Sequence, residues 1–314
     1  MSGIGVVSNP RSGANKRNPK LARRLAYILG EKGEVGQPGD LDDLVALAER
    51  FRDRGIDVLC VNGGDGTVHT VLSAFYQVYG EQPLPLIALL RGGTMNTVAG
   101  GLGIKGKPQD LLGAVVSRYH SDEPFAVAER NVLVVRDGVH PPRVGFLFGN
   151  GLVSNFLDVY YEGGDASPWK AIKVMVRGIT SMLFKGDLAA RLARPVRGQV
   201  QVDTRDWDAP ELLTLVAGTV DDIGLGFRPF HSVVGRPGHL QVIGFGCTMA
   251  TVVKNLWRIR LARPVPDPNI IDQIANGFVL SGAGPQAYMI DGDFYQGGQR
   301  IEVGVGPRIR LIVG

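Results

Sequence analysis

The sequence predicts two domains: an α/β domain built on a parallel sheet with helices on both faces, then a β-rich antiparallel domain. Three observations lead there. Over roughly the first 110 residues, strand-like runs, loops and helix-like runs alternate, which is the pattern of parallel βαβ units. From about Ala126 onward the chain turns to short β-type runs separated by turn residues, as in an antiparallel sandwich or barrel. Finally, 314 residues of which 44% are hydrophobic and 20% charged suffice for two packed cores of ordinary size.

The elements follow in order. Ile4 to Ser8 reads as a strand, NPRSGANKRNP as a loop, and Lys20 to Leu29 as a helix. Leu41 to Arg54 reads as a second helix, with Leu44, Val45, Leu47, Ala48 and Phe51 on one face. Ile56 to Val61 is a strand that hands over through Gly63-Gly64-Asp65-Gly66 to a helix over Thr67 to Tyr79. Leu86 to Leu90 is a strand, and RGGTMN leads from it to a helix starting near Thr97. Beyond 126 the runs VLVV, VGFLFGNG, GQVQVDT, LLTLVAGTV, GHLQVIGF, FVLSG and QAYMIDG read as strands. Two helical stretches interrupt them, Pro168 to Phe184 and Thr248 to Leu261. No linker or repeat marks the change, so the boundary rests on rhythm and falls between residues 125 and 126.

Composition narrows the function. A net charge of +4 and a pI of about 9.1 suit phosphate ligands or an anionic membrane surface. Basic residues do not interleave with aromatic ones, so nucleic acid is not expected as a partner. Cys60 and Cys247 both sit in apolar runs and read as buried thiols in a reducing compartment. The amino terminus has no signal-peptide pattern, and no apolar run approaches the ~18 residues of a spanning helix. The expected location is cytoplasmic, and a membrane-borne substrate would be met from the surface.

The chemistry concentrates in three loops. In a parallel sheet every loop leaving a strand's carboxyl end emerges on one edge, where ligands bind. Here those loops are Asn9-Pro10-Arg11-Ser12-Gly13, Gly63-Gly64-Asp65-Gly66-Thr67 and Gly92-Gly93-Thr94-Met95-Asn96. Glycines let backbone N–H groups close on an anion, and a helix start adds about half a positive charge. Small hydroxyls add hydrogen bonds. The result is a phosphate cradle without a Walker lysine, since GxxxxGK[ST] is absent. Asp65, an acid among phosphates, fits if a divalent cation lies between them. A single glycine loop is more often an ordinary turn; three on one edge are not. Gly101 to Gly106 matches GxGxxG but follows a helix rather than a strand, so it is set aside.

VNGGDGTVHTVLSAF resembles the nucleotide-binding signature of the diacylglycerol kinase catalytic domain family, which includes sphingosine, ceramide and bacterial lipid kinases. NPRSG, GGTMNTVAGGLGI, GFRPFHSVVGRPGHLQV and Asp291-Gly292-Asp293 extend the resemblance along nearly the whole chain. GGDGT alone is shared with NAD kinases and phosphofructokinases; the ordered set is more specific. The resemblance implies an NAD kinase-like first domain over 1–125, with the last strand, 300–314, folding back to it. It implies a second, β-rich sandwich domain over 126–299 that admits a lipid hydroxyl. ATP and Mg²⁺ are the implied cofactors. Asn9, Ser12, Gly13, Gly63, Gly64, Asp65, Gly66, Thr67, Gly93, Thr94 and Asn96 would hold the nucleotide, Asp65 through the Mg²⁺. Asp293 matches the acid that closes the family's D-G-E motif and would be the base, while Asp65 would assist catalysis through the cation.

Several positions depart from the family. Asp293 stands for Glu and is shorter by one C–C bond, about 1.5 Å. Thr97 and Gly100 stand for Asp and Arg, and Arg91 stands for Pro, where it reads equally as charge for a phosphate or as a surface residue. Pro237 replaces an acid that helps hold a structural Mg²⁺ in bacterial members, so no such site is expected. Asp291 and Asp293 would share a face on extended chain, although Asp-Gly equally marks a hairpin.

The remaining features are weaker. Trp169 to Lys185 reads either as a basic amphipathic helix resting on anionic headgroups or as a core helix with a solvated face. Lys254 to Arg260 has the same flavour, with the core reading favoured. The five histidines have no metal-ligand spacing, and no Gly-x-Ser-x-Gly elbow points to a hydrolase. The expected function is phosphoryl transfer from ATP to a hydroxyl of a diacylglycerol-like or sphingoid-like lipid, transiently at the inner face of the membrane. A kinase of a soluble acceptor and a catalytically weak binding protein are the alternatives. A homodimer is compatible with the sequence.

Overall fold

The computed structural model describes residues 3–31, 33–93, 96–153, 155, 195–208, 211–224 and 226–313. The chain divides into two compact units, residues 1–130 with 308–314, and residues 131–307. The boundaries lie inside strands β5 (Val127–Arg136) and β18 (Arg300–Ile312). A continuous strand gives no break in composition, which is why the change of rhythm near 126 precedes the observed boundary.

The first unit is built on parallel strands β1 (Ile4–Ser8), β2 (Glu34–Gly36), β3 (Val58–Asn62) and β4 (Leu86–Leu89). Their order is β4-β3-β1-β2, and the end of β18 adds beside β4 in parallel, Leu311 opposite Ile87. Ile4 faces Val58 and Ser8 faces Asn62, so β1 and β3 end level with each other. The strands are apolar on both faces because helices cover both. Helices α2 (Leu21–Leu29) and α6 (Pro108–His120) share a core with Ile4, Val6, Val58 and Cys60. The opposite face meets α3 (Leu41–Arg54) and α4 (Asp65–Tyr79), whose Phe51 and Phe75 pack edge to face at 6.2 Å. Gly5 is required there: a Cβ would come within 2.4 Å of the Phe51 ring. Burial pushes the Cys60 thiol up to about 12 and leaves it inert. Both cysteines are buried and free.

Two short helices complete this unit, α1 (Gly13–Arg17) and α5 (Thr97–Gly101). Helix α3 follows its expected bounds, with Asp40 capping it by accepting from Asp43 N at 2.9 Å and Gly55 closing it in the left-handed region. Helix α1 falls inside the segment read as a loop, and α6 was not foreseen. Strand β3 starts two residues later than expected. Asp57 is taken by the entering turn, where its carboxylate accepts from Gly3 N at 3.1 Å.

The second unit is antiparallel. One sheet of six runs β14 (Ile270–Ala275), β13 (Leu240–Phe245), β12 (Thr214–Gly218), β7 (Leu147–Gly151), β16 (Ala287–Ile290) and β17 (Asp293–Gln296). The other sets β10 (Arg205–Asp206), β9 (Gln199–Val202), β15 (Gly277–Ser281) and β18 side by side, with β5 on β18 and β6 (Arg143–Gly145) on β5. A core between the sheets draws Phe148, Leu215, Val242 and Tyr288 from one side and Val200, Phe278, Leu280 and Ile301 from the other. This is the expected two-layer sandwich. A short pair, β8 (Val196–Arg197) with β11 (Glu211–Leu212), lies apart. Helices α7 (Met249–Lys254) and α8 (Leu256–Arg260) occupy the stretch read as one helix. The helical stretch at 168–184 lies outside the described residues. No helix among the described residues is long and apolar enough to cross a membrane.

Candidate functional site

The three glycine loops leave β1, β3 and β4, which are adjacent in the sheet, so their carboxyl ends converge on one edge. Specific bonds then lock loop to loop. Asn9 N donates to Asn62 O and Ala14 N to Gly92 O, both at 3.0 Å. Asn9 Nδ2 donates to Thr67 Oγ1 at 2.8 Å. Ser12 Oγ donates back to Asn9 O at 3.0 Å, and Gly13 opens α1 behind it.

The second and third loops touch backbone to backbone. A Cβ at Gly93 would lie 2.1 Å from Gly64 Cα, closer than any side chain permits. Asn96 clasps the third loop, its Oδ1 accepting from Gly93 N and its Nδ2 donating to Gly93 O, each at 3.0 Å. Its backbone is left-handed at φ 51°, a conformation Asn tolerates better than most residues. Thr94 lies outside the described residues.

Asp65 takes a position the sequence did not suggest. Its carboxylate accepts from Thr97 N at 2.9 Å and from Val98 N at 3.2 Å, capping α5 from across the gap between loops. Charge-assisted bonds of this kind contribute about 1.5–3 kcal/mol each. Asp65 therefore fastens the second loop to the third. Each carboxylate oxygen still has a lone pair for a cation.

Behind the loops lies an amide network that sequence reasoning missed. Asn62, fully buried at the end of β3, donates through Nδ2 to Ser8 Oγ at 2.9 Å and to Asn15 Oδ1 at 3.0 Å. Its buried Oδ1 has no partner among the described residues, and a Cβ at Gly92 would lie 2.4 Å from it. The signal was available: Asn62 is the polar end of an otherwise apolar strand, VLCVN. Arg91 is likewise unusual. It is left-handed at φ 55°, half-buried, and its buried Nε has no partner among the described residues.

This edge can hold an anion. Gly64 is the N-cap of α4 and provides no side-chain cap, so among the described residues no N-cap side chain satisfies the first-turn N–H groups of this 15-residue helix. Glycine at 63, 64 and 66 places no side chain of its own over them. Among the described residues no cluster of three or more His, Cys, Asp or Glu could hold a metal ion by itself. A Mg²⁺ at Asp65 would need phosphate oxygens to complete its shell, as Mg²⁺ commonly does.

The acceptor acids lie in the second unit. Asp291 and Gly292 both have positive φ, 48° and 95°, and join β16 to β17 in a two-residue hairpin with Ile290 opposite Asp293. Asp291 is buried and accepts from Phe146 N at 3.0 Å and Leu147 N at 2.8 Å. It is a structural residue, and the expectation that both acids share a face fails because Asp291 sits in the turn itself. Asp293 opens β17, half-buried.

Near it, burial and then the charge of Asp293 push Tyr295 up to about 12. The Arg143 guanidinium lies 3.7 Å above the Tyr295 ring and 3.2 Å from the buried Asp137 carboxylate. Asp137 also accepts from Tyr288 Oη at 2.6 Å. Burial alone would raise the Asp137 pKa, but hydrogen bonds from Tyr288, His140 and Val139 outweigh it and hold the group below the usual carboxylate range. Pro237 sits in a turn with its carbonyl 3.0 Å from His239 Nδ1.

Residues 3–123 match the model of the diacylglycerol kinase catalytic domain. The Klebsiella pneumoniae (strain 342) protein named "Probable lipid kinase YegS-like" is 23% identical over 292 residues, covering 90% of this chain and 87% of that one. Two solved Bacillus anthracis structures share the fold across 100% of this chain. One, described as a putative diacylglycerol kinase, has a TM-score of 0.70 at 17% identity over 95% of its length. The other, a diacylglycerol kinase, has a TM-score of 0.63 at 15% identity over 97% of its length. Over residues 3–123, which carry the three interlocked glycine loops, the chain is similar to the diacylglycerol kinase catalytic domain.

Proposed function

We propose that the protein is an ATP-dependent lipid kinase acting on a hydroxyl of a diacylglycerol-like or sphingoid-like lipid at a membrane surface. The observation that carries this reading is the convergence of three glycine loops, locked by Asn9–Thr67 and Asp65–Thr97, around an uncapped helix start. Backbone N–H groups from Gly63 to Thr67, with those around Gly93, bind the phosphates. Asn9, Ser12 and Asn96 hold the loops that present them. Asp65 keeps the loops in register and would offer its remaining lone pairs to a Mg²⁺, which would supply charge neutralisation on the phosphates.

Asp293 is assigned as the base. The lipid oxygen forms a bond to the γ-phosphorus, the bond from that phosphorus to the ADP oxygen breaks, and the hydroxyl proton passes to the Asp293 carboxylate. Such a base contributes about 10²–10⁴-fold.

The test is transfer from γ-labelled ATP with Mg²⁺ to a panel of lipids dispersed in detergent micelles. Wild type should label a glycerolipid or sphingoid base. Asp293→Ala should lose at least about 100-fold in kcat while nucleotide affinity is retained. ATP binding without transfer to any lipid would favour a binding protein, and transfer only to a soluble acceptor would remove the lipid from the assignment.

A further inference from the structure

Helices α7 and α8 are unlike the other described helices: neither buries a single residue. Helix α2, with 9 residues, buries Leu21, Leu25 and Leu29, and even the five-residue α5 buries Val98 and Ala99. Isolated helices this short are not stable on propensity alone and need an apolar face to pack. The pair is nonetheless nearly continuous. Asn255 N donates to Thr251 O and Ile259 N to Asn255 O, both at 3.2 Å, so the ladder carries across the junction. One more turn places Leu261 above Trp257, with Leu261 N on Trp257 O at 3.1 Å. Trp257 is 52% exposed and Leu261 58%. Arg228 N donates to Ile259 O at 3.1 Å and fixes the pair to the 221–228 loop, where Ile223 is also exposed.

The charge on this element is equally one-sided. From Thr248 to Pro266 there is no Asp or Glu, and there are four cations, Lys254, Arg258, Arg260 and Arg263. The whole chain has a formal charge of +4, so the rest of it balances to zero. The neighbouring acid Asp221 is paired with Arg228, and the Asp222 carboxylate accepts from Gly224 N at 2.7 Å.

We infer that α7 and α8, which present Trp257 and Leu261 at the surface, form an interfacial element that docks this protein on an anionic lipid bilayer. An exposed Trp and Leu beside Lys254, Arg260 and Arg263, none of which has an acidic partner among the described residues, fit the boundary between acyl chains and negative headgroups. A second copy of the chain would present the same positive charge and repel. Nucleic acid would leave the apolar side chains without a partner. The inference gives the lipid-kinase reading a route to its substrate, but bilayer binding requires no phosphoryl transfer and is measured separately.

The test is flotation with vesicles of phosphatidylcholine alone or mixed with phosphatidylglycerol, without nucleotide. Wild type should bind the anionic vesicles only, and less as salt rises. Replacing Lys254, Arg260 and Arg263 with Gln should weaken binding about fivefold per charge. Trp257→Ala with Leu261→Ala should weaken it about tenfold or more while the far-ultraviolet dichroism is unchanged. Arg258 is left intact because its Nε donates to Pro264 O at 2.8 Å. Undiminished vesicle binding by either variant, or no binding by wild type, would overturn the inference. So would a wild-type dimer that both variants convert to monomer. The micelle assay reads phosphoryl transfer apart from docking: variants that transfer normally in micelles yet miss vesicles uphold the inference, and vesicle binding by a protein that transfers nothing upholds it while removing the kinase reading.

Discussion

Gly93→Ala isolates the claim that backbone contact between two loops builds the nucleotide site. The new Cβ would lie 2.1 Å from Gly64 Cα, 2.8 Å from Gly64 N and 2.9 Å from Asn96 Oδ1. Non-bonded carbons rest at about 3.5–4.0 Å. The second and third loops must therefore separate by about 1.5 Å, and neither contact at Gly64 is a flexible side-chain end. A misplacement of about 1 Å costs on the order of 10²-fold where geometry carries catalysis. The variant should lose at least about 100-fold in kcat/KM for ATP, measured in micelles, with a matching loss of nucleotide affinity by calorimetry. Gly100→Ala is the control. It lies in α5 with nothing within 4 Å of a new Cβ, so it should leave activity unchanged and stabilise by about 0.5–1 kcal/mol. Wild-type nucleotide affinity in Gly93→Ala would refute the reasoning, because the loops would then bind phosphate without their close approach.

Three further outcomes follow from the same contacts. Asp65→Ala strips two amide bonds from the start of α5, so the melting temperature should fall by the equivalent of about 2–4 kcal/mol and nucleotide affinity should fall with it, even in the absence of Mg²⁺; loss of binding only when Mg²⁺ is present would assign Asp65 to the cation alone. Arg91→Ala should raise the KM for ATP about tenfold, with a smaller effect on ADP, if its unpartnered Nε meets a terminal phosphate; equal effects on both nucleotides would place the contact elsewhere. Asp137 has its folded pKa held below the unfolded value, so its contribution to stability is present above the unfolded pKa of about 3.9 and is lost as pH falls toward the folded one. The acid limb of a denaturation profile should flatten in Asp137→Asn, which should itself cost about 3–5 kcal/mol by leaving Arg143 unpaired; an unchanged acid limb would show that the network does not control acid stability.

What the sequence made legible was whatever depends on local pattern. The apolar face of Leu41 to Arg54, with Asp40 before it and Gly55 after it, determines α3 by itself. Ile4 to Ser8 could be read because five buried positions in a row need helices on both sides. Helix α6 was legible but missed: Leu111, Leu112, Val115, Val116 and Tyr119 recur at helical spacing behind Pro108, and all five pack in the core shared with α2. Strand β14 hides because Ile270-Ile271-Asp272-Gln273 breaks strict alternation; it is fixed by pairing with β13, an edge the chain cannot announce locally.

The acids show where reading by motif stops. Asp65 and Asp291 each stand beside glycine, and each could be read as reaching for a cation or a proton. In the fold both carboxylates accept backbone N–H groups from a segment distant in sequence, Thr97 and Val98 for one, Phe146 and Leu147 for the other. Glycine beside an acid frees the backbone to turn, and a turning backbone is what aims the carboxylate; the direction of aim is set by where another strand ends. Sequence therefore locates such an acid without assigning its partner. Asp293 is proposed to take the proton because it matches the acid that closes the D-G-E motif; the bonds from Phe146 and Leu147 only remove its neighbour Asp291 from that role.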